Sequence, residues 1–245
     1  MIKLITLITK FIIVTLMALL FSSCGHSMNL NGIKGSGNIT TETRNAIQDF
    51  KKIEVSRGIK VIVEQSENKS ISVETDDNLQ QHIITKIENG VLIIESDKSY
   101  NSNETPVVNV KMPVTTGLSA NSGSEIISSN TLITKEIDVK SSSGSEIKIS
   151  VEADTIKIES TSGSSIEASG KALKLETAAS SGSEINAENL MTNEVVSQTS
   201  SGSSTAVYPI VKLDAKASSG SSISYHKIPK TISKEESSGG SVDEK

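Results

Sequence analysis

A three-residue element, Ser-Gly-Ser, recurs through the second half of the chain and constrains its fold more than any other feature. Successive glycines are 18 to 21 residues apart, and a degenerate seventh copy stands at residues 238–240. A fixed period near 19 residues is typical of a solenoid, in which each repeat forms one coil stacked on the next. The glycines of the six full copies are Gly123, Gly144, Gly163, Gly182, Gly202 and Gly220.

Aliphatic residues fall into columns at odd distances from these glycines. Between them stand mostly polar residues, as in Ile156-Lys157-Ile158-Glu159. This alternation predicts strands with one dry face, and the abundant Ser, Thr and Gly disfavour helix. Three residues after the glycines stand Ile126, Ile147, Ile166, Ile185 and Ile223, and seven residues before the next glycine stand Ile137, Ile156, Leu175, Val195 and Leu213. We predict that these two columns stack as core ladders, since one coil alone cannot bury its apolar face.

The predicted fold is all-β, a right-handed parallel β-helix or β-solenoid with coils of about 19 residues. Each coil is expected to hold two short strands joined by turns. The first half also alternates but is less regular, so we expect irregular strands over 45–113 and regular repeats over 114–228, with a short helix or loop at 77–88. A polar C-terminal tail at 229–245 is expected to finish the last coil and fray.

The Ser-Gly-Ser element is interpreted as a tight corner. Glycine adopts positive φ readily, and serine is small enough to stand at a narrow edge and to hydrogen-bond the main chain. The alternatives are a serine nucleophile or an anion-binding nest. Seven near-copies cannot all be active sites, so the structural interpretation is preferred.

The N-terminus resembles an export signal that ends at a lipidated cysteine. Residues 1–23 carry a basic start and a short apolar run, and Cys24 follows two serines as in a bacterial lipobox, although Phe21 stands where Leu is usual. The alternatives are a plain secretory signal with a chance cysteine, or an uncleaved anchor. We predict lipidation at Cys24, a flexible tether over 24–44 and a place in the cell envelope, in the outer membrane of a Gram-negative bacterium. The membrane is therefore a predicted partner through the lipid anchor.

Composition argues against several other functions. The net charge is −5 and only two arginines are present, so nucleic acid is not an expected partner. With one cysteine and three scattered histidines, we predict no catalytic residue, no metal site and no cofactor. Glu125, Glu146 and Glu184 share one column, which could form an acid cluster like that of a polysaccharide-active β-helix; a solvated edge interleaved with lysines is the preferred interpretation.

A family resemblance rests on three stretches of the first half. Phe50 to Gln65 carries a spaced pattern of Ile, Val and Gly, Val73 to Leu79 contains Asp76-Asp77-Asn78, and Gly90 to Ile94 follows. In this order, over about residues 45–225, they resemble the head GIN domain family, whose members are described as auto-transporter adhesins. The resemblance implies an all-β, solenoid-like domain on an exported protein and supplies no catalytic residue.

These observations leave three functional hypotheses. The first is a non-enzymatic envelope lipoprotein with an adhesin-like or scaffold role, which would bind an unidentified protein or glycan through its repetitive polar surface. The second is a polysaccharide-active β-helix enzyme. The third is a structural or stress-related envelope component without a specific ligand.

Overall fold

The computed structural model describes residues 32–45 and 48–245, together with Lys10 and Thr15. It is 67% strand and 2% helix, and its parallel β-solenoid has about 7 turns spaced about 19 residues apart. The predicted fold class is therefore confirmed. The predicted signal segment, apart from Lys10 and Thr15, and the predicted lipidation site Cys24 lie outside the described residues. Within the described part of the chain, no helix has the length and apolar character of a membrane span.

The described residues of the first half, 32–45 and those from 48 onwards, form ten short strands. They are β1 (Ile33–Lys34), β2 (Ile39–Arg44), β3 (Lys52–Val55), β4 (Lys60–Gln65), β5 (Ser70–Asp76), β6 (Ile83–Glu88), β7 (Val91–Ser96), β8 (Tyr100–Asn101), β9 (Val107–Met112) and β10 (Gly117–Ala120). A single 3₁₀ turn, Gln80–His82, precedes β6. Of the region 77–88, predicted as a short helix or a loop, the second half is strand β6, and residues 77–82 form a turn that includes the 3₁₀ segment.

The second half forms five long strands and three short ones. They are β11 (Glu125–Ser141), β12 (Glu146–Thr161), β13 (Ser165–Ser180), β14 (Glu184–Thr199), β15 (Ser204–Ser218), β16 (Ser222–Tyr225), β17 (Thr231–Ser237) and β18 (Ser241–Glu244). Each long strand contains both of the strands predicted for one coil, because its hydrogen bonding continues past the bend between them. A Ser-Gly turn separates each long strand from the next.

The long strands stack in parallel and in register, and the two halves of each strand lie in different walls of the solenoid. The first halves pair with one another and continue into β16 and β18 at the C-terminal end and into β4 and β9 at the N-terminal end. The second halves continue into β17 at the C-terminal end and into β10, β3 and β7 at the N-terminal end. Two walls therefore enclose one continuous thin core.

Like residues face like residues inside this core. Ile147 pairs with Ile126 on one side and Ile166 on the other, and Ile156 pairs with Ile137 and Leu175. All ten residues named for the two ladders are at most 1% exposed. Burying an Ile or Leu side chain stabilises a fold by about 1.5–3 kcal/mol, so the stacked columns supply much of the driving force.

The first half belongs to the same solenoid, although its coils do not stack in the order in which they occur in the chain. The coil made of β3 and β4 lies between the coil of β7 and β9 and the coil that β10 and β11 begin. Antiparallel strands then cover the N-terminal end, with β5 and β2 on one wall and β6 on the other. The predicted irregularity therefore comes from the out-of-order coil and from these covering strands.

The prediction of a flexible tether over 24–44 is wrong for residues 32–44. Strand β2 pairs with β5 along its whole length, and β1 pairs with β8. The intervening segment is held by two carboxylates: Asp76 accepts hydrogen bonds from the Gly37 N–H (2.6 Å) and the Ser102 hydroxyl, and Asp77 accepts one from the Ser36 hydroxyl (2.5 Å). That bond, with a second from Asn38, holds the pKa of Asp77 below its usual range.

Small residues in this segment serve close packing rather than flexibility. A Cβ atom on Gly35 would lie 2.4 Å from Oδ2 of Asp76, so only glycine allows the main chain to approach this carboxylate. Glycine, which predicted a loose linker here, is therefore also the residue that a tight main-chain contact requires.

The C-terminal tail, residues 229–245, finishes the last coil as predicted, but the predicted fraying is wrong. Strand β17 pairs in register with the second half of β15, and β18 pairs with β16. The segment is a complete last coil, because main-chain pairing holds it even though its side chains are mostly polar and exposed.

The ladder can be tested by truncating one rung. We expect Ile166→Ala to lower the free energy of unfolding by about 2–5 kcal/mol, because it leaves a cavity between Ile147 and Ile185 that stacked neighbours cannot fill. Ile133→Ala is the matched control: Ile133 is 62% exposed, and its loss should change stability by less than about 0.5 kcal/mol. Urea unfolding followed by circular dichroism measures both, and equal effects would contradict the stacked-core account.

Candidate functional site

Each corner of the solenoid is a four-residue turn whose two central residues have positive φ. In one such turn Ser162 and Gly163 have φ values of 56° and 68°, and the Ser164 N–H donates to the Thr161 carbonyl at 3.3 Å. Positive φ at both central positions is the pattern of a type I′ turn. All six predicted turn glycines share it, with φ between 68° and 70°: Gly123, Gly144, Gly163, Gly182, Gly202 and Gly220.

The turns are joined to one another by their own main chain. The Gly163 N–H donates to the carbonyl of Ser181 in the next turn at 3.1 Å. The same bond links every neighbouring pair of turns from Gly58 to Ser238, at 3.0 to 3.1 Å. A hydrogen-bonded ladder therefore runs along the whole edge, which we call the turn edge.

The serine after each glycine is buried and tied to the preceding coil. Ser164 is 2% exposed, and its Oγ lies 2.8 Å from the Ser141 carbonyl of the coil before and 2.7 Å from the Thr161 carbonyl of its own turn. It also accepts a hydrogen bond from the Thr161 N–H at 3.1 Å. The equivalent hydroxyls reach the preceding coil in the same way: Ser145 to Ala120, Ser183 to Ser160 and Ser221 to Thr199.

These contacts favour the structural interpretation of Ser-Gly-Ser over a nucleophile or an anion site. The second serine is enclosed, and its hydrogen-bonding capacity is used by main-chain groups. The first serine is exposed in all six Ser-Gly-Ser turns, and six equivalent positions are not expected to be six active sites. The repeat is therefore a device for stacking corners.

One corner was missed by sequence reasoning. Arg57 and Gly58 have φ values of 66° and 72° and form the first turn of the ladder. The columns around Gly58 could have revealed it, since Val55 and Val61 stand three residues before and after it. Without the flanking serines, however, the motif itself is not recognisable.

Tyr100 completes the N-terminal end of the turn edge. Its hydroxyl donates to the Arg57 carbonyl at 2.9 Å, which is the acceptor that an earlier turn would otherwise use. Burial raises the pKa of Tyr100 above its ordinary value, which further favours the protonated hydroxyl that acts as the donor. The strand β8 that carries it pairs with β1, which ties this cap to the N-terminal segment.

Two of the three carboxylates in the shared column are paired with lysines. Glu125 and Glu146 are neighbours in register, but Lys60 lies 3.0 Å from Glu125 and Lys148 lies 2.9 Å from Glu146. The hydrogen bond and charge of Glu146 raise the pKa of Lys148. Glu184 stands beyond Ser165 in the same column. The arrangement fits a solvated edge of ion pairs.

The two described histidines each face one carboxylate, on different parts of the fold. His82 Nδ1 lies 2.9 Å from Asp97 near the N-terminal end, and His226 Nε2 lies 3.2 Å from Glu188 near the C-terminal end. Within residues 32–45 and 48–245, no three His, Cys, Asp or Glu side chains gather as a metal site would require.

The edge opposite the turns carries an exposed apolar row that sequence reasoning also missed. Ile133, Leu173 and Met191 are 62%, 56% and 44% exposed. With Ile210 and Ala153 they line one shallow groove of about 500 Å³. Charged residues line it too, since Glu152 and Lys171 stand in register between Ile133 and Met191. Ile133 and Leu173 stand at odd distances before the next turn glycine, as the core columns do, so the sequence pattern gave no sign that they face outward. We call this set the apolar row.

A second groove lies on the outer wall formed by the second halves of the long strands. In register there stand Lys140, Glu159, Ala178, Gln198 and Lys216. The short Ala178 leaves a depression of about 310 Å³ between the longer side chains. Its walls are tied by ion pairs, such as Lys140 with Glu159 at 3.1 Å.

The importance of the buried turn serines can be measured. We expect Ser164→Ala to lower the free energy of unfolding by about 1–3 kcal/mol, because the Thr161 N–H and the Ser141 carbonyl each lose one hydrogen-bond partner at a buried hydroxyl. Ser162→Ala keeps the same backbone conformation but removes only an exposed hydroxyl, so its effect should stay within about 0.5 kcal/mol. Thermal and urea unfolding compare the two; a larger loss from Ser162→Ala would contradict this assignment.

Comparison with known proteins agrees with the architecture. A family model described as "Putative auto-transporter adhesin, head GIN domain" matches residues 49–229. No curated protein matches the sequence significantly.

Solved structures show the same fold. A protein described as a putative adhesin from Bacteroides fragilis superposes with a TM-score of 0.81 at 19% identity, over 87% of this chain and all of that one. One described as a putative lipid binding protein from Parabacteroides distasonis gives 0.71 at 20% identity, over 87% and 99% of the two chains. One described as a putative adhesin from Parabacteroides merdae gives 0.68 at 20% identity, over 87% and 98%.

Proposed function

Because this chain belongs to the family described as "Putative auto-transporter adhesin, head GIN domain", we propose that it is a non-enzymatic, lipid-anchored protein of the cell envelope that binds an external partner through the outside of its solenoid. An adhesin-like family is consistent with a place at the cell surface or in the envelope. The lipid anchor at Cys24 and the outer membrane are parts of the proposal.

The apolar row is the observation that supports binding best. The core is already complete behind it, so the fold gains little from apolar side chains at these outward positions, and polar residues would serve solubility better. Exposed apolar groups that share one groove mark interaction sites more often than scattered ones do. The parallel stack behind the row is stiff, so a partner would meet a preformed surface.

The partner is proposed to be a protein or a glycan of the surroundings. Next to the apolar row, the outer walls offer Lys, Glu, Gln and Ser side chains at the spacing of stacked strands, about 4.8 Å. Such a surface can make many shallow polar contacts around an apolar centre, which is the usual anatomy of a recognition surface.

The anchor is tested by labelling. Full-length protein in the native host should incorporate radiolabelled palmitate, and globomycin should block processing at Cys24, because lipidation there creates the new N-terminus. Cys24→Ala should lose the label and leave the membrane fraction. A protein that stays unlabelled, or a Cys24→Ala variant that still partitions with membranes, would contradict lipid anchoring at Cys24.

Binding is tested with the full chain in detergent on glycan arrays and on immobilised proteins of host surfaces. A ligand bound by the wild type should lose at least about tenfold in affinity when Ile133, Leu173 and Met191 are all changed to Gln, since such apolar contacts contribute more than about 1.4 kcal/mol together. The matched control changes Lys157, Glu159 and Glu176 on the neighbouring wall to Gln.

Three results would count against the proposed site or role. Equal losses from the two triple variants would show that the apolar row is not the site. Release of reducing sugar from any bound polysaccharide would favour the β-helix enzyme instead. A failure to bind any surface would favour a structural component of the envelope.

A further inference from the structure

The last coil carries two charged residues in register with core columns of the coil before it, although both side chains are exposed. Strand β17 continues the columns of β15, so that Lys234 follows Ala215 and Glu236 follows Ala217. Ala215 and Ala217 are 0% and 2% exposed. Two columns that hold small or aliphatic residues in the earlier coils therefore end in a lysine and a glutamate, and the contacts of these two side chains show what they do there.

Both side chains reach across the open end of the solenoid to one residue of the other wall. Lys234 Nζ donates to the Val242 carbonyl at 2.7 Å, and the Val242 N–H donates to Glu236 Oε1 at 2.7 Å. Lys234 Nζ also lies 4.8 Å from the centre of the Tyr225 ring, a distance at which a cation is attracted to the ring face.

The two peptide groups engaged are those that face away from the molecule. Ser241 and Lys245 donate their N–H groups inward, to Ser221 and Tyr225. Because neighbouring residues of a strand present their main-chain groups in opposite directions, the N–H and the carbonyl of Val242 point outward. These are groups that the next strand of the wall would use.

An uncovered strand edge of this kind is a template for another strand, and charged side chains placed on the edge are one known way to block it. We propose that Lys234 and Glu236 block the C-terminal end face of the solenoid, formed by β17 and β18, against docking of a second copy of this chain. The feature concerns the assembly state and does not depend on the proposed adhesin-like role.

The occupant follows from the face itself. Ile232 and Val242 end the two core columns, and every earlier coil is covered by a coil of the same pattern. The N-terminal face does not offer a matching surface, because antiparallel β2 and β6 lie over it. An opened C-terminal face is therefore expected to meet the C-terminal face of a second copy, which gives a closed two-fold dimer rather than a filament.

The test uses the full chain in density-matched detergent and sedimentation equilibrium. The wild type should be a monomer, and Lys234→Ala with Glu236→Ala should shift it to a dimer as the concentration rises. Adding Val242→Pro removes the outward N–H without touching the inward pairing, and should restore the monomer. Ser233→Ala with Glu235→Ala, on the outward side of the same strand, is the control and should stay monomeric.

Several results would overturn the proposal. They are a wild type that already dimerises through this face, a double alanine variant that stays monomeric, self-association that Val242→Pro does not reverse, and growth into long polymers.

A second measurement keeps the test decisive if the double variant folds poorly. Hydrogen exchange on the wild type should show a protected Val242 amide. Glu236→Ala should speed its exchange at least about tenfold, while Glu236→Gln, which keeps an acceptor oxygen, should retain most of the protection. A Val242 amide that exchanges freely in the wild type would contradict the proposal that Glu236 covers it.

Discussion

Parallel stacking in register requires that every coil turn the same corner in the same way, because a coil with a different corner would shift all of its side chains relative to its neighbours. The bond from each turn glycine to the serine carbonyl of the next turn enforces this, and the buried serine hydroxyl fixes the same turn to the coil before. A one-residue slip in a strand moves its apolar residues from the dry face to the wet one. The corner bonds and the aliphatic ladders therefore depend on each other: the corners set the register that lets Ile147 meet Ile166, and the burial of that pair holds the corners together.

The same constraint explains which parts of the fold could be predicted. Where the chain repeats, one coil specifies the next, so the columns through Ile126 and Ile137 indicated the core without any structure. Where the chain does not repeat, the signal is lost. The corner at Gly58 keeps the backbone geometry but not the serines, and its coil is inserted between two coils that follow later in the chain, an order that no local pattern reveals.

Composition misled the prediction at both ends for one physical reason. Glycine, serine and polar residues mark a segment that cannot build its own core, and this is usually a loose one. Residues 32–44 and 229–245 need no core of their own, because strand edges of the existing walls accept their main chain. Asp76 and Asp77 then hold the N-terminal segment by side-chain hydrogen bonds. The apolar row was missed for the opposite reason: Ile133 and Leu173 look like core residues in the sequence, and only the bend of the coil shows that they face outward.

A solenoid is a repeat with two ends, and its two ends face the same difficulty of unpaired main-chain groups. At the N-terminal end this chain uses covering strands, with Tyr100 taking the place of a missing turn at the Arg57 carbonyl. At the C-terminal end it uses Lys234 and Glu236 on the peptide groups of Val242. Both devices substitute side-chain atoms for the main-chain partners that another coil would provide. Stacking is thereby limited to the coils of one chain, and the surfaces left open to other molecules are the outer walls and the edge that carries Ile133, Leu173 and Met191.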